Sequence, residues 1–185
     1  MSVSIVNSGT ISLPVFSIIS STNASPISVN VSSHGMSTGD TVFIRNHATN
    51  TNANGEWIVT VTDANNFTLN GSTGNGVGGA TGTASPMKVI QDITDQAVFD
   101  FLMDRTGQLD GDQLMFRVYE IVKSSGSRIL SAEDGFSDAP VNPDDYLIKD
   151  IPRGTGLTDS GSIRYAGAQL MGATRSYDWS VKKYA

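Results

Sequence analysis

Residues 27–46 read ISVNVSSHGMSTGDTVFIRN and residues 56–70 read EWIVTVTDANNFTLN. Four short runs in them, ISVNVS (27–32), TVFIR (41–45), EWIVTVT (56–62) and NFTLN (66–70), are rich in β-branched and aromatic side chains. Between the runs stand Gly39-Asp40, Asn54-Gly55 and Asn65-Asn66, pairs that favour tight turns. Trp57, Val59 and Val61 fall on one face of their run, as do Phe67 and Leu69 of theirs, so each run has one side to bury. Four or five such strands predict a small β-barrel over residues 26–85 with these five side chains in its core.

The stretch also holds His34 and, six positions on, Asp40. A catalytic histidine needs a nucleophile and an orienting group, and no nucleophile motif such as Gly-x-Ser-x-Gly is present. The alternative is local: Gly35 lets the chain turn, Met36 covers the barrel end, and Gly39-Asp40 leads into the next strand. His34 then needs only a turn or capping hydrogen bond, and the chain reads as a non-enzyme.

Charge divides the sequence. Residues 1–85 contain Arg45 against Asp40, Glu56 and Asp63, and the first 39 side chains carry no Asp, Glu, Lys or Arg. The remaining 100 residues hold the other 11 basic and 15 acidic side chains, which places a boundary near Ser85-Pro86. The net charge is -6 and the basic residues are scattered apart from Lys182-Lys183, which argues against a surface that tracks phosphates, so no direct nucleic-acid binding is expected. There is no cysteine, which removes disulfides, thiolate metal sites and a cysteine nucleophile. The opening residues, MSVSIVNSGTISLPVFSIIS, match neither a secretory signal nor a membrane span.

Those opening residues alternate apolar and small polar side chains, the pattern of a strand with one buried face. Pro14 puts that strand at an edge or at a bend. It reads either as the first strand of the domain that follows, as a frayed terminus, or as an extended arm over residues 1–25 that adds a strand to a neighbouring subunit. On the last reading Val3, Ile5, Ile11, Leu13, Val15, Phe16 and Ile18 form the partner-binding stripe.

Residues 86–185 change character. DITDQAVFDFLMDRTG (92–107) sets Ile93, Ala97, Val98, Phe101 and Leu102 on one helical stripe, with Asp92 or Thr94 as N-cap and Gly107 as a stop, and predicts a helix. QLMFRVYEIVK (113–123) fits a helix at more positions than a strand, although its β-branched and aromatic content suits a strand. From residue 126 turn-rich text dominates, with SIRYAGAQL (162–170) and RSYDWSVKKY (175–184) as candidate strands. The predicted fold class is therefore mainly β with an α+β C-terminal part: arm, barrel, then a loop-rich domain over 86–185 with one or two helices.

GSTGNGVGGATG (71–82) superficially suggests a phosphate cradle, but no helix start or Lys-Ser/Thr pair follows, so it reads as a mobile hairpin tip. Asp104, Asp110, Asp112 and Asp144-Asp145 offer oxygens to calcium without the full twelve-residue ligand loop, and no metal or cofactor is expected.

Residues 27–84 resemble a module common in tailed-bacteriophage virion proteins. Its pattern is a strand, His-Gly-apolar-x-x-Gly-Asp-x-Val-x-Ile, Asn-Gly-x-Trp-x-Val, then an Asp turn into Phe-Thr-Leu-x-Gly-Ser. The module is labelled after a small β-barrel half-domain of ubiquitin-activating enzymes. Without a cysteine or a nucleotide-binding segment, the resemblance implies the fold and the phage context but not ubiquitin chemistry. It implies a virion structural protein, most directly a capsid decoration or minor capsid protein, with a tail, neck or collar component as alternative. The implied partners are other virion proteins and further copies in a homo-oligomer. A carbohydrate- or receptor-binding module, using Tyr146, Tyr165 and Tyr177, is the competing reading from another class.

Overall fold

The structure, a computed structural model, describes residues 3–94, 97–121, 128–140, 147–149, 153–154 and 162–184. The protein is mainly β: the described residues form sixteen strands, and the one helical element among them is a 3₁₀ turn at Thr51–Ala53. The chain divides into two compact units, one of Pro14–Met87 with Ala168–Thr174, the other of Met1–Leu13, Lys88–Gly167 and Arg175–Ala185.

In the first unit the strands are β2 (Phe16–Ser17), β3 (Ser20–Ser21), β4 (Ile27–Asn30), β5 (Thr41–Arg45), β6 (Gly55–Val61), β7 (Asn66–Leu69) and β8 (Thr83–Pro86). They form one antiparallel sheet in the order β2-β8-β5-β6-β7-β4-β3. The strands at its two ends, β2 and β3, are separated by only Ile18 and Ile19, so the sheet must curl until its ends nearly meet. Those two residues bond to both ends, Ile18 N–H to the Gly82 carbonyl (3.1 Å) and Ile19 N–H to that of Asn30 (2.9 Å).

The inside of this curled half-barrel is filled by the alternating apolar positions, with Val29, Val42, Ile44, Val59, Phe67 and Leu69 all at 0% exposure. Trp57 and Val61 are only half-buried at its rim, and Trp57 donates Nε1–H to the Ala53 carbonyl at 2.8 Å. Phe43 stands on the opposite face of β5 from Val42 and Ile44, yet is only 2% exposed.

The second unit is a two-sheet sandwich. Its strands are β1 (Val3–Leu13), β9 (Lys88–Ile93), β10 (Val98–Asp104), β11 (Gln113–Ile121), β12 (Ile129–Ser137), β13 (Leu147–Lys149), β14 (Arg153–Gly154), β15 (Ser162–Met171) and β16 (Arg175–Tyr184), the last four residues of β15 lying in the first unit. One sheet runs β1-β16-β10-β13 with β14 also paired to β10, and the other runs β12-β11-β15-β9. Phe101 of β10 stacks on Phe116 of β11 (centroids 5.1 Å apart) and on Tyr165 of β15 (4.4 Å), which ties the sheets together.

The two predicted helices are strands in the fold, which corrects that expectation. Residues 92–107 contain the end of β9 and all of β10, and 113–121 are β11. In β10, Phe99, Phe101 and Met103 alternate into the core at 0–1% exposure. Apolar residues also occupy Val98 and Leu102, so the segment satisfies a helical and a strand template together, and long-range pairing to β16 decides between them. In the region from 126 the two candidate strands are present as β15 and β16, and β12 adds a strand that the turn-rich text did not suggest. The segments 122–127, 141–146, 150–152 and 155–161 of the predicted loop region lie outside the described residues.

Candidate functional site

The predicted stripe is dispersed by the fold. Leu13 (0% exposed) belongs to the sandwich core and Ile18 (3%) to the barrel core, so both are corrected from partner contacts to core residues. Ile11 packs half-buried against the sandwich core and Phe16 against the barrel core, while the Val15 N–H donates to Thr174 Oγ1 at 3.1 Å. The leading segment is not a free arm either: β1 pairs along its length with β16 of the same chain, from Val3↔Tyr184 to Leu13↔Arg175.

What remains exposed is the beginning of β1, with Val3 at 54%, Ile5 at 63% and Val6 at 48%. Directly paired residues of antiparallel strands share a face, so Val3, Tyr184 and Val98 form one cross-strand row and Ile5, Lys182 and Asp100 the next. Val98 adds a further 40%-exposed aliphatic to that face. β1 is also terminal in its sheet: among the described residues no strand pairs with its other edge. An uncharged edge strand of 11 residues is a template for strand addition.

The pairing of β1 with β16 shifts between Ile5 and Asn7, so Val6 is the extra residue of a bulge and is re-aimed. Val6 and Asn7 line a cavity of about 160 Å³ over Phe99 and Val181, closed on the β9 side by Gln91 and Ile93. The Asn7 amide donates to Gln91 Oε1 at 2.8 Å, bridging β1 and β9. Beside it, Arg164 donates through Nε and Nη2 to both oxygens of Asp92 (2.8 and 2.6 Å), which holds that carboxyl below its ordinary value. Arg128 Nη1 lies 3.7 Å from the same carboxyl, so the Asp92 charge on the cavity rim is compensated from two sides.

The remaining polar candidates are engaged structurally. His34 is 2% exposed; its Nδ1 accepts the Met36 N–H (3.0 Å), which leaves the proton on Nε2 to be donated to the Asp63 carbonyl (3.1 Å). Asp40 accepts the Ser37 N–H at 2.9 Å, closing the turn before β5. Asp104 accepts the Thr106 N–H, and Asp112 accepts from Leu109 N–H and Arg175, so these oxygens are taken by protein donors. No group of three possible metal-binding side chains occurs among the described residues. Tyr165 (0% exposed) and Tyr177 (1%) are corrected from surface aromatics to core residues, and burial pushes the Tyr177 phenol up to about 12. Tyr146 lies outside the described residues.

The second histidine, His47, was not marked by any motif. It is 1% exposed, with Nε2 2.9 Å from Ser21 Oγ and Nδ1 3.1 Å from Thr81 Oγ1. Ser21 Oγ also accepts the Asn50 amide at 3.2 Å. The pair lies beneath residues 71–82, which are not a free hairpin tip. Gly74 N–H bonds to the Ala24 carbonyl (2.9 Å), Asn75 N–H to Asn50 Oδ1 (3.1 Å) and Gly78 N–H to the Ser21 carbonyl (3.2 Å). A Cβ on Gly78 would collide with Ser21 Oγ, so the glycine is required by close approach. Gly78→Ala is expected to destabilise the barrel unit by about 1–3 kcal/mol, read as a lower urea midpoint with an unchanged slope; no shift in midpoint would show that the loop does not rest on Ser21.

Comparison with protein-family models, with curated proteins and with solved structures finds no match to the chain.

Proposed function

We propose that this chain is a structural component of a tailed-phage virion, most directly a capsid decoration or minor capsid protein, that acts by subunit–subunit assembly. The phage context comes from the resemblance of residues 27–84. The observation that carries the assembly role is β1: an edge strand of 11 residues, free of charge, with Val3, Ile5 and Val6 exposed. Strand addition there supplies main-chain hydrogen bonds without a need for a matched charge pattern, and the exposed aliphatics add apolar burial. Repetition around a particle raises effective concentration, so each contact can be modest. A tail, neck or collar location would use the same edge. The partners are other virion proteins and further copies of this chain.

Removing the whole leading segment is a poor test, because Leu13 and Ile18 are core residues. Val3→Lys with Ile5→Glu is cleaner: both positions are exposed and the glutamate faces Lys182 across the pair, so stability should change by no more than about 0.5 kcal/mol, while charged side chains on an edge block strand addition. The expected result is a normally melting protein that no longer co-purifies with particles assembled in its presence. Undiminished incorporation of the double variant would remove β1 from the assembly role.

A further inference from the structure

His47 hydrogen-bonds through its ring and backbone to residues within 18–24, 46–55 and 70–85, and none of these stretches contains a charged side chain or a second titratable one, Glu56 standing one position beyond the second. His47 is nevertheless joined at both ring nitrogens, to Ser21 on one side and to Thr81 on the other. Thr81 Oγ1 further accepts the Ala48 N–H (3.1 Å), and Thr49 Oγ1 accepts the Gly79 N–H (3.2 Å). The ring thus links the terminal strand β3, the turn after β5 and the glycine-rich segment. The nearest charged residue along the chain, Arg45, is a cation and offers no compensation.

We propose that His47 is an acid-sensitive clasp that holds residues 71–82 over the edge of β3 when neutral and lets them go when protonated. An imidazolium at 1% exposure loses its hydration and finds only hydroxyl and amide dipoles, with no carboxylate among the segments it touches. The consequence is specific to this place, because the Ser21↔Gly78 bridge is what covers the β3 end of the curled sheet. Release bares an uncharged strand end, Ser20-Ser21, to another chain. This clasp is separate from β1 and does not rest on the assembly reading.

Burial holds the ring below its ordinary value of 6.5 in the closed state. The open state takes up a proton at that ordinary value, so it binds more protons than the closed state as pH falls below about 6.5. Closure is fully favoured above that pH and weakens beneath it.

The test is amide-exchange protection of Gly78 and Gly79 in the full chain, corrected for intrinsic rates, together with NMR titration of both imidazole rings. Between pH 7.5 and pH 5 protection of these amides should fall, the limit set by linkage being about 30-fold. The His47 ring should titrate below 6.5. In His47→Gln the protection should be flat across the same range; if that variant does not fold, the wild-type ring titration and protection profile decide alone. A His47 midpoint at or above 6.5, protection independent of pH, or an unchanged pH profile in His47→Gln would overturn the clasp.

Discussion

Phe101→Ala is expected to destabilise the sandwich unit by about 3–5 kcal/mol, the usual cost of deleting a buried ring. Phe101 is 0% exposed and is shared by three aromatic neighbours, Tyr165 at 4.4 Å, Phe116 at 5.1 Å and Trp179 at 6.2 Å, all within 24° of parallel. Two of these rings come from the facing sheet, so the truncated side chain leaves a void that backbone shifts on one sheet cannot close. A loss of this size is a large part of the total stability of a domain. It corresponds to a fall in melting temperature of more than about 10 °C. The two tryptophans lie in different units, Trp57 in the barrel and Trp179 in the sandwich. In a Trp57→Phe background, Trp179 fluorescence therefore reports the sandwich alone. Ile129→Ala, at a 61%-exposed position, serves as control and should stay within about 0.5 kcal/mol of wild type. A loss below about 1 kcal/mol for Phe101→Ala would mean that the stack does not hold the sheets together.

The barrel was legible because its strands bury one face. ISVN, TVFIR and NFTL occupy β4, β5 and β7 as their composition and turn signals predict, and GEWIVTV occupies β6. In the sandwich SIRYAGAQL and RSYDWSVKKY were legible as β15 and β16, but β10 was not, for a physical reason visible in VFDFLMD: both parities carry apolar residues, and only the β16 pairing distinguishes the buried Phe101 from its neighbour Leu102. The fate of the opening segment was equally hidden. Its partner β16 begins 162 positions after β1 ends at Leu13, and no local pattern encodes so distant a register. Alternation in β1 signalled a strand correctly, but whether Leu13 faces its own core or a neighbour is a tertiary fact. His47 shows the opposite limit. Its neighbourhood is Asn, Ser, Thr and Gly, residues read as loop text, and their burial follows from how tightly glycine lets the backbones approach.

Asp112→Ala is expected to cost about 3 kcal/mol, the lower end of what breaking a buried ion pair costs. Asp112 has 2% side-chain exposure and accepts Arg175 Nε–H at 2.7 Å and the Leu109 N–H at 2.8 Å through the same oxygen, Oδ2. Its loss strands a backbone donor and leaves the guanidinium without a counter-charge. Arg175 retains 24% side-chain exposure, so it can turn partly to water, and this keeps the cost at the lower end. Asp112→Asn keeps an oxygen for Leu109 N–H and forfeits only the charge-assisted bond, so about 1.5–3 kcal/mol is expected. Arg175 pairs with Leu13 at the end of the β1–β16 ladder, so the ion pair anchors the last pair of that ladder. The double variant Asp112→Ala with Arg175→Ala should therefore lose less than the sum of the two single losses. Because Asp112 is shielded from solvent although Arg175 is only partly so, a part of that coupling should persist at high salt, where a surface pair would fade. Additive losses, or a coupling abolished by salt, would show that Asp112 acts only as a turn residue for Leu109.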